Sequence, residues 1–146
     1  MSYKPASGQA FAATDAELAE LLGFSGKQSG TAVHTEDDRY GYRWVVLDDP
    51  DLEDIVGAAH VVNNTLESRG FGPQLLCSVF GFARSGGSDP CHLVYLYKRG
   101  TFYPFAPRPG ERRDNEIELQ VRGAVGSELP IEEDLTRWFP LWGLPL

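Results

Sequence analysis

The sequence predicts an α+β fold of two layers, an antiparallel β-sheet packed against helices. Three observations predict it. The first is a segment from 49 to 70 whose apolar residues recur at helical spacing. The second is a pair of runs, "PQLLCSVFGFA" and "CHLVYLYKRG", apolar on both faces, as strands inside a sheet are. The third is "YLYKRGTFYPFAP", residues 95 to 107, where aromatic rings flank a Lys-Arg-Gly suited to a hairpin tip. A chain of 146 residues with 42% hydrophobic and 23% charged residues suits one folded unit. Residues 1–146 are therefore expected to form a single α+β domain.

In chain order, "TDAELAELLG" opens the first helix. Thr14 stands as N-cap with Glu17 three residues later, the pattern of a capping box. Leu18, Leu21 and Leu22 share a face, and Gly23 is placed to end the helix. "FSGKQSG" reads as a flexible connection. "TAVHTEDDRYGYRWVVLDD" predicts two strands around an acidic turn at 36 to 38, with Tyr40, Tyr42, Trp44 and Val46 on one face of the second strand. Asp49 then caps a second helix whose first position is Pro50, with Asp51, Glu53 and Asp54 at the positive end of the dipole. Leu52, Ile55, Val56, Ala59, Val62 and Leu66 form its apolar stripe, and Gly70 follows Arg69 to stop it.

The two apolar runs are the central strands, joined by the loop "RSGGSDP". In the hairpin that follows, Tyr95, Tyr97, Phe102, Tyr103 and Phe105 are expected to pair across strands. Lys98, Arg99 and Gly100 occupy the tip, and Pro104 marks an edge strand. Residues 115–125 carry two patterns. "EIELQVR" alternates as a strand, while Ile117, Val121 and Ala124 share a helical face that Asp114 can cap. The helix is adopted on the propensities of Glu, Leu, Gln and Arg, with the strand as the alternative. "LPIEEDLTRWFPLWGLPL" predicts a short closing helix broken at Pro140.

A net charge of -8 argues against general affinity for nucleic acid or anionic membrane. Yet five of the thirteen basic residues fall between 98 and 113. Lys98, Arg99, Arg108, Arg112 and Arg113 are candidate partner-binding residues, because arginine forks onto the carboxylates of an acidic helix or onto phosphate. The alternative is a solvated rim with Glu111, Asp114 and Glu116 as counter-ions. Trp138, Phe139, Leu141 and Trp142 are dense for a terminus. They fold back over the sheet or serve as a docking segment, with Trp138 and Trp142 as its anchors.

Chemistry is sparse. Cys77 and Cys91 lack disulfide-framework or zinc spacing and read as buried free thiols. His34 precedes "TEDD", which is weak as a metal signal; His60 lies beside the second helix's stripe. His92 and Cys91 are adjacent in a strand and point to opposite faces, so they do not make a Cys-His pair. No nucleophile elbow, P-loop, HExxH, dinucleotide fingerprint or CxxC occurs in the sequence. No catalytic residue, metal ligand or cofactor is assigned. With no signal peptide and no run near the roughly 18 to 20 apolar residues of a span, the expected location is the cytoplasm.

The blocks "YKPASGQAFA", "YGYRWVVLDDPDLEDIV", "GFGPQLLCSVFGF", "LVYLYKRGTFYPFAP", "ERRDNEIELQVR" and "DLTRWFPLWGLP" resemble the PspA-associated protein PspAB family of actinobacteria and archaea, across nearly the whole chain. The resemblance implies an accessory of phage shock protein A, a coiled-coil protein that supports stressed membranes. It implies further N-terminal sequence ahead of "YKPASGQ" in other members, so this chain reads as a shortened version. The order of elements also resembles the type III secretion-chaperone-like fold, an analogy that carries little functional weight. The expected role is a non-enzymatic adaptor that binds a protein partner, phage shock protein A above all, with membrane association only indirect. A homodimer is allowed, and nucleic-acid binding is not expected. The alternative is a small-molecule binder or enzyme using an aromatic and arginine-lined pocket.

Overall fold

The computed structural model describes residues 1–83 and 90–145. The chain is α+β, as the sequence predicts, with its helices and antiparallel strands in two compact units, residues 1–76 and 77–144.

In the first unit, β1 (Ser2–Tyr3), β2 (Ala32–Asp37) and β3 (Arg43–Asp48) lie in the order β2-β3-β1, antiparallel throughout. Helices α1 (Gln9–Ser29) and α2 (Leu52–Ser68) pack on each other, and α2 also packs on β3. Their core holds Tyr3, Phe11, Leu18, Leu22, Val45, Val62 and Leu66, each at most 4% exposed. Burial of a side chain of this size contributes about 1.5–3 kcal/mol. Phe11 sits edge-on to Phe71 at 5.1 Å between ring centroids.

Several boundaries differ from the expected ones. The first helix begins after Gly8, so Thr14 is an interior residue whose hydroxyl donates to Ala10 O at 3.0 Å. Glu17 accepts from Arg69 instead of closing a capping box. The Ala-rich turn before Thr14 supplies the extra helical residues, alanine having the best helix propensity. The helix also passes through Gly23 and takes in most of "FSGKQSG", ending at Gly30 in the left-handed conformation (φ 92°). Gly26 is needed there, because a Cβ would lie 2.6 Å from Thr31 O.

Glu36 and Asp37 belong to β2, and the turn runs over 38–42. The Asp38 carboxylate organises that turn, accepting from the N–H groups of Tyr40 and Tyr42 and from Trp44 Nε1. Tyr40 and Tyr42 therefore precede β3, and Tyr40 is exposed. The N-cap of α2 is Asp51, which accepts from Glu53 N at 2.8 Å. Asp49 instead accepts from Asp51 N and the Thr31 hydroxyl, and Pro50 lies outside the helix. The buried face of α2 is Ala58, Val62, Thr65 and Leu66, while Leu52 and Val56 are exposed. Thr65 can join that face because its hydroxyl donates to Val61 O.

In the second unit, β4 (Leu75–Ala83, of which Cys77 onward belongs to this unit), β5 (Pro90–Leu96) and β6 (Thr101–Phe105) pair antiparallel in that order. Most of the loop "RSGGSDP" lies outside the described residues. The aromatic hairpin forms, with Tyr95 opposite Phe102, centroids 4.8 Å apart, and Gly100 at φ 67° at the tip; but Tyr103 lies opposite Val94, Phe105 opposite His92, and Tyr97 follows the end of β5. A short ribbon of β7 (Pro107–Arg108) and β8 (Arg112–Arg113) leads into α3 (Asn115–Val125), which Asp114 caps. Residues 115–125 are thus the helix that was adopted, although Ala124 is exposed. The closing helix is a single 3-10 turn, Leu135–Arg137.

β6 is an edge strand, as Pro104 suggests, and its outward backbone is satisfied from within the chain. Phe102 N–H donates to Pro130 O and Phe102 O accepts from Glu132 N. Pro104 has no N–H to leave unpaired, and its carbonyl accepts from Arg113. Ala106 N–H donates to Glu118 Oε1, and Ala106 O accepts from Asp114 N.

Candidate docking site around the arginines

The five clustered cations do different jobs. Arg113 is a hub of the second unit. Its Nε donates to Glu118 Oε1 at 2.8 Å, its two terminal nitrogens donate to Trp138 O and Pro104 O, and its guanidinium lies 5.4 Å over the Phe105 ring. Glu118 itself is buried at 2% exposure. Arg99 donates to Glu132 Oε2 at 2.6 Å, and Glu132 is buried at 3%. Burial alone would raise the Glu132 carboxyl; the hydrogen bonds from Arg99, Asp134 N–H and Thr101 outweigh it and hold the group below the usual range.

Arg108 donates to Asp114 at 2.7 Å. Asp114 also accepts from Ile117 N, the cap of α3, and these two contacts, the cap first, depress its carboxyl. Lys98 and Arg112 are exposed, and Arg112 Nε donates to the nearby Pro109 O. Of the counter-ions expected from the sequence, Asp114 serves. Glu116 instead accepts from Gln120. Glu118 and Glu132 were missed. For Glu118 one signal existed: it falls beside Ile117 and Val121 on the inward face of α3.

Arg108, Arg112 and Arg113 do converge. With Pro109, Asp114 and Asn115 they line a shallow hollow of about 280 Å³ at the β7–β8 ribbon and the start of α3. The ribbon's tip is tight, with Gly110 at φ 78° and Glu111, a non-glycine residue, at φ 52°. Lys98 and Arg99 are not among the residues of this hollow.

The aromatic terminus folds back. Trp138 is 6% exposed, its Nε1 donates to Glu132 O at 2.9 Å, and its ring stacks on Tyr103 at 6.3 Å. Trp142 meets Phe105 edge-on at 5.2 Å. Phe139 is exposed, while its carbonyl accepts from Tyr103 OH.

A second cleft, of about 230 Å³, lies among Phe82, Pro90, Cys91, Arg108, Ile117 and Val121. Burial, with the Glu118 charge, pushes the Cys91 thiol up, and burial pushes Cys77 up to about 11, so both stay protonated and poorly nucleophilic at neutral pH. Both are free. Burial lowers the His92 pKa; its ring stacks on Phe105, and Nδ1 finds no hydrogen-bond partner among the described residues. No group of metal-ligating side chains converges among the described residues. No helix among them is long and apolar enough to cross a membrane.

The family model of PspA associated protein B matches residues 1–146. The chain belongs to the PspA associated protein B family. No curated protein and no solved structure matched it, so the likeness to secretion chaperones rests on element order alone.

Proposed function

We infer that this protein is a non-enzymatic adaptor that binds a protein partner of the phage-shock system, phage shock protein A itself. The observation that carries this reading is the match of the whole chain to a family named for that association. The arginine hollow is its docking surface. Arg112 offers an exposed guanidinium there, and the paired Arg108 and Arg113 are held in place around it. A planar fork of this kind suits a carboxylate on an acidic helix. Among the described residues, the titratable groups lining the 230 Å³ cleft are Cys91 and Arg108, and its volume falls below the 300–1,000 Å³ of ordinary ligand pockets. That supports a binding role over an enzymatic one.

Capture of purified phage shock protein A by the immobilised chain tests the reading. The Arg112→Glu variant is expected to bind about tenfold more weakly, a difference of about 1.4 kcal/mol. Absence of capture by the unaltered chain removes phage shock protein A as partner. Capture unchanged by Arg112→Glu removes the hollow.

A further inference from the structure

We propose that the outer edge of β2 is a docking site for an extended basic segment of a partner protein, which adds to the sheet as a further strand. The register fixes which backbone groups are available. Asp38 N–H donates to Tyr42 O at 2.8 Å, continuing the pairs Glu36↔Trp44 and His34↔Val46. Bonded pairs alternate along an antiparallel ladder, so the even-numbered residues exchange bonds with β3. The N–H and C=O groups of Val33, Thr35 and Asp37 point away from it. β2 is the last strand of its sheet, and all of it but Val33 is exposed. It carries no proline and no lysine, two common devices for blunting such an edge.

The flank of α1 that carries Gly26 is made of small residues. Ala12, Ala19 and Gly26 recur every seven residues and so share one flank of α1. Gly26 sets that flank beside β2, its Cβ position 3.5 Å from Val33 Cγ2. Charge then selects the occupant. Residues 1–76 hold five Lys or Arg against twelve Asp or Glu, a net -7, and on β2 itself Glu36 is exposed beside Asp37, which is paired with Arg43. A second copy would set one unit of net -7 against another, which is repulsive. A basic strand gains from the same charges. The site does not depend on the partner's being phage shock protein A.

Amide hydrogen exchange of the full chain with a synthetic peptide of alternating Lys and Val tests this. Exchange is expected to slow at Val33, Thr35 and Asp37, while His34 and Glu36, already bonded to β3, are unmoved. Thr35→Pro removes one outward N–H and is expected to weaken the peptide about tenfold with the unfolding midpoint unchanged. Glu36→Lys, on an exposed side chain, is expected to weaken the Lys-Val peptide and admit a Glu-Val one. No slowing at the outward amides overturns the proposal, as does an equal response of the unaltered chain to the Glu-Val peptide. Slowing that grows with protein concentration in the absence of peptide would mean a second copy is the occupant, and also overturns it.

Discussion

β6 in residues 77–144 and β2 in residues 1–76 are both terminal strands, and they are finished differently. From Phe102 to Ala106 each outward backbone group of β6 has a partner in the chain: Pro130, Glu132, Arg113, Glu118 or Asp114. Among the described residues β2 pairs on one side only, with β3. The charges follow the same division. In the second unit eight Lys or Arg face nine Asp or Glu, a net -1, and several of these ions are bonded to one another in closing the edge. In the first unit Arg43 and Arg69 are likewise paired, with Asp15, Asp37 and Glu17, but none of its acidic residues is buried. A basic cluster in a sequence can thus be consumed by structure, while an acidic edge that looked like a mere turn is left open.

The sharpest way to break the comparison is to open β6. Glu118→Ala removes the acceptor of Ala106 N–H and of Arg113 Nε together, leaving a half-buried guanidinium without its counter-ion. A loss of about 3–5 kcal/mol is expected, measured by urea unfolding followed through tryptophan fluorescence. Glu118→Gln keeps a neutral acceptor and is expected to lose less. If Glu118→Ala costs under about 1 kcal/mol, the carboxylate is not what closes the edge. Next in size, Trp138→Ala empties a buried site against Tyr103 and removes the donor to Glu132 O. An aromatic truncation of this kind costs about 3–5 kcal/mol, read by the same urea unfolding.

These two residues also mark what the sequence could and could not reveal. The hairpin was legible because its signals are local: alternating rings and a Lys-Arg-Gly tip predict rings facing across the strands, as Tyr95 and Phe102 do. The folding back of Trp138 was legible as one of two readings. The closure of β6 was not, because its groups come from distant parts of the chain; Glu132 is 33 residues from Arg99. Local patterns also misled. Thr14 and Glu17 make a good capping box on paper, but alanines upstream extend the helix past them. Gly23 looks like a stop, yet it is Gly26, close to Thr31 O, whose lack of a side chain the fold requires.

Acid offers a graded opening of the same edge. The folded Glu132 carboxyl is depressed below its unfolded value, about 4.3 for a free glutamate. Its contribution is therefore fully present above that unfolded value and is lost as pH falls through the folded one. Asp114 and Asp134 are depressed too and lose their contributions in the same direction. Urea unfolding followed at Trp138 is expected to weaken below about pH 4.5. Glu132→Gln, less stable at neutral pH, is expected to show a shallower acid decline. An identical decline in the variant would show that Glu132 contributes nothing to it.

The smallest expected effect lies at β2, and its smallness is the informative part. Proline is tolerated in an edge strand where the missing N–H faces outward. Thr35 is such a position, so Thr35→Pro is expected to change the unfolding free energy by less than about 1 kcal/mol. Phe102 is also an outward position, but its N–H donates to Pro130 O at 2.8 Å. Proline there loses that bond as well as the ring's contact with Tyr95, and a markedly larger cost is expected. Equal costs at the two positions would mean that the outward groups of β2 are already engaged, and that the two edges do not differ in the way their ladders indicate.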